Sequence, residues 1–135
     1  MGYYSDVRGS VRMAEERFQQ MMGVSVKVPS FSEPHTLKDF FEEVSYEEGC
    51  CTIDSYGKHY DLEYVIELLA RFKEGNEPDE VVYRGDSGLS DSGTYFILPG
   101  KWAYAPVRYP IIDDVKEGDW TDAMSPDHVT EAKRT

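Results

Sequence analysis

The sequence predicts an α+β fold: a single domain with a mixed sheet of about five or six strands and two or three helices mainly on one face. Three observations carry this. Residues 61–75 repeat apolar side chains at helical spacing, with Leu62, Val65, Ile66, Leu69 and Phe72 on one stripe. Several other runs alternate with a period of two, the signature of half-buried strands. Residues 50–84 read strand, helix, strand, so the two strands should lie parallel in one sheet.

In chain order, residues 3–13 form the first alternating run. Tyr3, Val7, Val11 and Met13 fall on one face, and Tyr4, Asp6, Arg8, Ser10 and Arg12 on the other. Gly9 inside it marks a bulge or a close approach. Ala14, Phe18, Met21 and Met22 then set out a short helix that stops at Gly23. Val24, Val26 and Val28 alternate as a second strand, and Pro29 and Pro34 bound a loop. Thr36 and Asp39 have capping-box spacing. They open a helix with Leu37, Phe40, Phe41 and Val44 as its apolar stripe and Glu42, Glu43, Glu47 and Glu48 in water.

Residues 50–56 are a strand with Cys51 and Ile53 on one face and Thr52, Asp54 and Tyr56 on the other. Asp61 is placed to cap the 61–75 helix and Gly75 to end it in the left-handed region. Glu63, Glu67 and Arg71 line its wet side, with Glu67 ahead of Arg71 in the favourable order. Strands follow at 81–83 and 94–98, joined by the turn-forming run 85–93, and a last strand at 101–108 suits an edge because of Pro106. The order strand–helix–strand, twice over, fits a ferredoxin-like core with extra strands. Residues 1–123 form this domain, and 124–135 read as a loose tail.

Net charge is the strongest global signal. The chain carries −12, and residues 40–80 alone account for −9 of it. Phosphate-directed nucleic-acid binding needs a basic surface, so it is excluded, and anionic membranes are disfavoured for the same reason. No apolar run approaches the roughly 20 residues that cross a bilayer. The first residues lack the basic and apolar blocks of a signal peptide, so a cytoplasmic protein is expected. A basic protein surface is the natural partner. The docking candidates are Glu42, Glu43, Glu47, Glu48, Glu63 and Glu67, with Trp102 and Tyr104 as aromatic anchors beside Tyr95 and Tyr109. Self-association remains compatible with the sequence.

Motifs for chemistry are sparse. Cys50 and Cys51 are adjacent, which suits two reduced thiols better than a disulfide or a zinc site. His59 is the only local base for a thiol nucleophile. His35, His59 and His128 have no metal-binding spacing. Gly85-Asp86-Ser87-Gly88 resembles the nucleophile motif of trypsin-like serine proteases, but Leu89 and Ser90 depart from it and no histidine stands in that family's setting. A turn is expected there. No catalytic residue, metal or cofactor is assigned.

The opening Met1-Gly2-Tyr3-Tyr4-Ser5-Asp6-Val7 resembles that of small proteins encoded by bacteriophages. The resemblance covers seven residues and carries no site. It implies an accessory protein that binds and blocks host machinery, including defence systems. The expected function is therefore a non-catalytic acidic binding protein that inhibits a basic host protein. The alternatives are a small enzyme or ligand-binding domain with a pocket near Cys51, His59 and the aromatic cluster, and a virion or assembly component.

Overall fold

The computed structural model describes residues 4–59, 61–85, 92–106, 112, 115–123 and 129–131. Its elements are β1 (Ser5–Arg12), α1 (Glu15–Met22), β2 (Val24–Val26), α2 (Leu37–Phe40), β3 (Glu43–Glu47), β4 (Cys50–Gly57), α3 (Leu62–Phe72), β5 (Asp79–Gly85), β6 (Ser92–Leu98), β7 (Lys101–Ala105), β8 (Thr121–Asp122) and β9 (Val129–Glu131). Seven strands form the main sheet in the order β3-β4-β1-β5-β6-β7-β8, and β2 pairs with β9 apart from it. Every pairing is antiparallel, so the expected mixed sheet is corrected. The reason is the position of β1. It enters between β4 and β5, so the two strands flanking α3 run the same way without touching. The order β3-β4-β1-β5, with α1 and α3 as connections, is that of a ferredoxin-like split βαβ core, and β6 to β8 extend one edge.

Gly9 makes the central insertion of β1 possible. It faces Ile53 on one side and Val81 on the other. A Cβ there would overlap the Glu80 carbonyl and stand 2.8 Å from Val81 Cα. The expectation of close backbone approach holds. The alternation of β1 also holds: Val7, Val11 and Met13 are buried, while Tyr4, Arg8, Ser10 and Arg12 are exposed.

The expected helix through residue 48 is corrected. Thr36 and Asp39 do form a capping box, with the Thr36 N–H donating to Asp39 Oδ2 at 2.9 Å. But α2 ends at Phe40, and Glu43–Glu47 is a strand paired with β4. Val44 and Tyr46 alternate with Glu43, Ser45 and Glu47, a period of two that tertiary pairing favours over helical spacing. Glu48 and Gly49 close the hairpin with φ of 49° and 81°, the two positive values a type I′ turn needs.

The helices lie over one face of the sheet. Val7, Val11, Cys51, Ile53, Val81, Tyr95 and Ile97 pack there with Leu62, Val65, Ile66, Leu68 and Leu69 of α3 in one core. The other face carries Arg8 and Asp54, which meet at 3.3 Å in solvent. Towards β7 it also holds Phe96 and Ala103, paired across the strands and fully buried.

Both ends of α3 are tied down. At its C-terminus, Arg17 of α1 donates to the carbonyls of Phe72 and Arg71 at 3.0 and 2.8 Å, and its guanidinium lies 5.2 Å from the Phe72 ring centre. A cation there meets the negative end of the helix dipole. The cap residue is Lys73, not Gly75, although Gly75 has the expected left-handed φ of 91°. The buried Lys73 ammonium donates to Asp79 Oδ2 at 2.7 Å, and the same oxygen accepts the Arg12 N–H at 2.7 Å. One carboxylate thus joins α3, β1 and β5. At the N-terminus, Asp61 does not cap the helix. It adopts the left-handed conformation, with φ of 55°, and its carboxylate accepts the Ser30 N–H at 2.9 Å.

Three further expectations meet the structure here. Within the segment read as a loose tail, Val129–Glu131 pairs with β2. Of the run 85–93 expected to turn, with its protease-like motif, residues 86–91 lie outside the described residues. Among the described residues no helix is long and apolar enough to cross a membrane.

Leu69 is fully buried at the centre of the α3 stripe. Leu69→Ala should cost about 2–5 kcal/mol of stability. Chemical denaturation would show this as a lower midpoint. A midpoint close to that of the parent would mean that the sheet does not rest on this face.

Candidate ligand pocket

The meander β5–β6–β7 places aromatic residues side by side on the helix-bearing face. Tyr83 stands opposite Gly93, Tyr95 opposite Tyr104, and Ile97 opposite Trp102. Gly93 has no side chain because Tyr104 occupies that space: a Cβ at Gly93 would stand 2.7 Å from Tyr104 Cε1. The phenol of Tyr104 therefore lies across β6. Its ring centre is 4.7 Å from that of Tyr95 at 46°, and Trp102 is 5.8 Å from Tyr95 on the other side at 55°. These tilted contacts are favourable arrangements for aromatic quadrupoles.

The first turn of α3 and the segment before it face this aromatic wall. Together they enclose a recess of about 380 Å³, lined by His59, Asp61, Leu62, Glu63, Tyr83, Tyr95, Trp102 and Tyr104. That is near the lower end of the range for ligand pockets, about 300–1,000 Å³. Burial pushes the Tyr95 hydroxyl pKa well above its ordinary value, and the Glu63 carboxylate and neighbouring tyrosines add to the effect. Tyr95 is therefore a neutral phenol. Trp102 Nε1 is buried with no hydrogen-bond partner among the described residues.

His59 is held at both ring nitrogens by buried serines. Ser5 Oγ is 2.7 Å from Nδ1, and Ser55 Oγ is 2.9 Å from Nε2. Ser55 Oγ also accepts the Glu42 N–H at 2.8 Å, and Ser5 Oγ reaches the Gly57 carbonyl at 3.4 Å. One assignment of protons serves every group: Glu42 N–H to Ser55, Ser55 O–H to Nε2, Nδ1–H to Ser5, and Ser5 O–H to the Gly57 carbonyl. It requires a neutral ring. Burial likewise lowers the His59 pKa, against opposing pulls from the Asp6 and Glu42 carboxylates. Phe41 packs on the ring at 5.8 Å.

The recess brings together only some of the residues singled out in the sequence. Glu63, Trp102 and Tyr104 line it, as does His59. Cys51 does not: it is fully buried in the core, where desolvation, reinforced by Cys50, pushes its thiol up to about 12. Glu67 is half-buried, with one carboxylate oxygen out of solvent, and is not the wet-face residue expected. Glu43 and Glu47 are exposed on the face of the sheet opposite the helices, and Glu48 is exposed in the hairpin turn. Glu42 is exposed just before β3. The acids expected on two helices thus occupy separate surfaces. Tyr109 lies outside the described residues.

Sequence reasoning missed Tyr83, Asp61 and the role of Gly93. The available signal was the glycine within an aromatic strand, Gly93-Thr94-Tyr95-Phe96, but its meaning depends on register with β7. Among the described residues, no three His, Cys, Asp or Glu side chains form a metal-binding group. In comparisons with known proteins, the chain matches no family model, no curated protein and no solved structure.

The His59 network fixes a sign for pH dependence. Its pKa in the fold is below 6.5, so the unfolded chain takes up a proton first as pH falls. The contribution of the neutral ring is complete above 6.5 and is lost as pH drops from there through the lower folded value. Denaturant midpoints across this window should fall more steeply for the parent than for His59→Gln. Parallel curves would show that the histidine is not held neutral.

Proposed function

We propose that this chain is a non-catalytic binding protein whose partner is a basic protein, and that the surface around the recess is where the partner docks. The observation that carries the reading is the composition of the recess. Among the described residues, four aromatic side chains and two acidic residues line it, and no lysine or arginine does. Exposed or half-exposed Tyr and Trp beside acids are the residues that anchor protein interfaces. The overall charge of −12 adds long-range attraction for a cationic surface.

The non-catalytic part of the reading rests on the state of the reactive groups. Ser55 and His59 resemble a nucleophile and its base, but the Ser55 side chain is buried and already holds the Glu42 amide. Cys51 has a thiol far too basic to ionise near neutrality. The N-terminal resemblance supplies a setting: a bacteriophage accessory protein acting in the host cytoplasm, where binding inhibits the partner. A domain for a small ligand is the second reading, favoured by the volume of the recess.

The separation of the acids onto two surfaces permits a direct test. Charge reversal at Glu63, beside the recess, should weaken capture of basic proteins from bacterial lysate and slow their association at about 0.1 M salt. Reversal of Glu43 and Glu47, on the other face, should change these less, because screening over about 10 Å at 0.1 M limits their reach. Equal effects from both variants, or none from either, would remove the recess from the docking surface.

A further inference from the structure

We infer that the recess receives the guanidinium of a single arginine side chain presented by the basic partner. The inference rests on the reading above that the partner is a basic protein, and it names the group recognised at this site.

The walls favour a cation of this shape. Tyr83, Tyr95, Tyr104 and Trp102 present π faces or edges to one volume. A cation over such rings is attracted by their quadrupoles, most strongly where water is excluded. Glu63, and Asp61, one of whose carboxylate oxygens accepts the Ser30 N–H, stand on the α3 side of the same recess. The N-terminus of α3 opposes them, since a helix dipole places about +0.5 charge at that end. The two formal negative charges of these side chains exceed that half charge. His59 adds no positive charge while its ring is neutral.

Guanidinium fits this pairing of walls better than ammonium does. It is planar, more weakly hydrated, and carries donors in a fork that meets carboxylates while its face stacks on aromatic rings. A quaternary ammonium would use the rings but leave the two carboxylates without donors. The protein already uses the same contact internally, where the Arg17 guanidinium covers Phe72 while donating to backbone carbonyls. The volume of about 380 Å³ suits one side chain and not a folded segment. Among the described lining residues, Asp61 alone adopts the left-handed conformation, a sparsely populated state of the kind found at ligand clamps.

The test titrates the intact chain with a capped tripeptide carrying one arginine, followed by calorimetry and by the NMR shifts of Trp102 and the tyrosines. The same tripeptide with citrulline, which keeps the shape and loses the charge, is the first comparison. Binding should fall by roughly tenfold or more with citrulline. Glu63→Gln should weaken the arginine peptide several-fold, and so should Asp61→Asn, since asparagine tolerates the left-handed backbone and retains an acceptor for Ser30. Glu63 is exposed, so its variant decides the matter if the Asp61 variant does not fold. Equal affinity for arginine and citrulline, or an unchanged affinity in Glu63→Gln, would overturn the inference. Agmatine, a free guanidine, separates the two sources of the group: agmatine binding tenfold tighter than the peptide would overturn the side-chain assignment. If basic proteins are still captured in a Glu63-dependent way while the arginine peptide does not bind, the inference fails and the docking reading stands. If the peptide binds and no basic protein is captured, the docking reading fails and the guanidinium site stands.

Discussion

The insertion of β1 between β4 and β5 is the constraint on which the rest of the structure depends. It forces α1 and α3 to act as crossovers and sets the register of both halves of the sheet at once. The insertion in turn depends on Gly9, because any side chain there would meet the backbone of β5. Val7 and Val11 on either side then enter the core in step, under α3. A slip of one residue would turn every one of these side chains to the other face. The Asp79 carboxylate locks the same junction, since it holds the Arg12 amide at the end of β1 and the Lys73 ammonium at the end of α3. Removing Asp79 would leave the buried Lys73 ammonium without its counter-charge, which is costlier than the pair is stabilising.

Much of this core was legible from periodicity. Strands β1, β4 and β6 and helices α1 and α3 stand within a few residues of their predicted places, because each pairs a strong alternation or stripe with a clear stop. The failures share one cause. Phe41 and Val44 continue the helical stripe begun by Leu37 and Phe40, while Val44 and Tyr46 equally satisfy a strand alternation. What decides between them is the exposed edge of β4, which no local window contains. The same non-local pairing makes the sheet antiparallel throughout. A strand–helix–strand run predicts parallel neighbours only if nothing intervenes, and the strand that intervenes comes from the N-terminus.

The recess was only half legible for a similar reason. Trp102, Tyr104 and Glu63 could be named from residue type, and a pocket near His59 and the aromatics could be anticipated. Their convergence comes from cross-strand pairs, Tyr83 with Gly93 and Tyr95 with Tyr104. A glycine opposite Tyr83, with Tyr104 diagonal to it on the next strand, is what allows a phenol to lie across the sheet. Cys51 was grouped with this site by closeness in sequence, but its alternation with Thr52 turns it into the core. The acidic residues show the converse. Composition placed them in one segment, and folding divides them between the recess, the hairpin and the far face of the sheet.

That division bears on how an acidic protein can be selective. Net charge acts over a Debye length, about 10 Å at 0.1 M salt, and so attracts any basic surface with little regard to orientation. On this chain it cannot fix a docking mode, since Glu43 and Glu47 on one face pull against Glu63 on another. Orientation has to come from contacts of short range. Under the proposed docking the recess would supply these, because cation–π and charge-assisted hydrogen bonds decay within a few ångströms and demand alignment. The Tyr95 hydroxyl, kept protonated by burial, and the His59 ring, kept neutral between two serines, hold the walls free of compensating charge near neutral pH. In the proposed docking, long-range attraction would set the rate of encounter and the aromatic recess would set which encounters last.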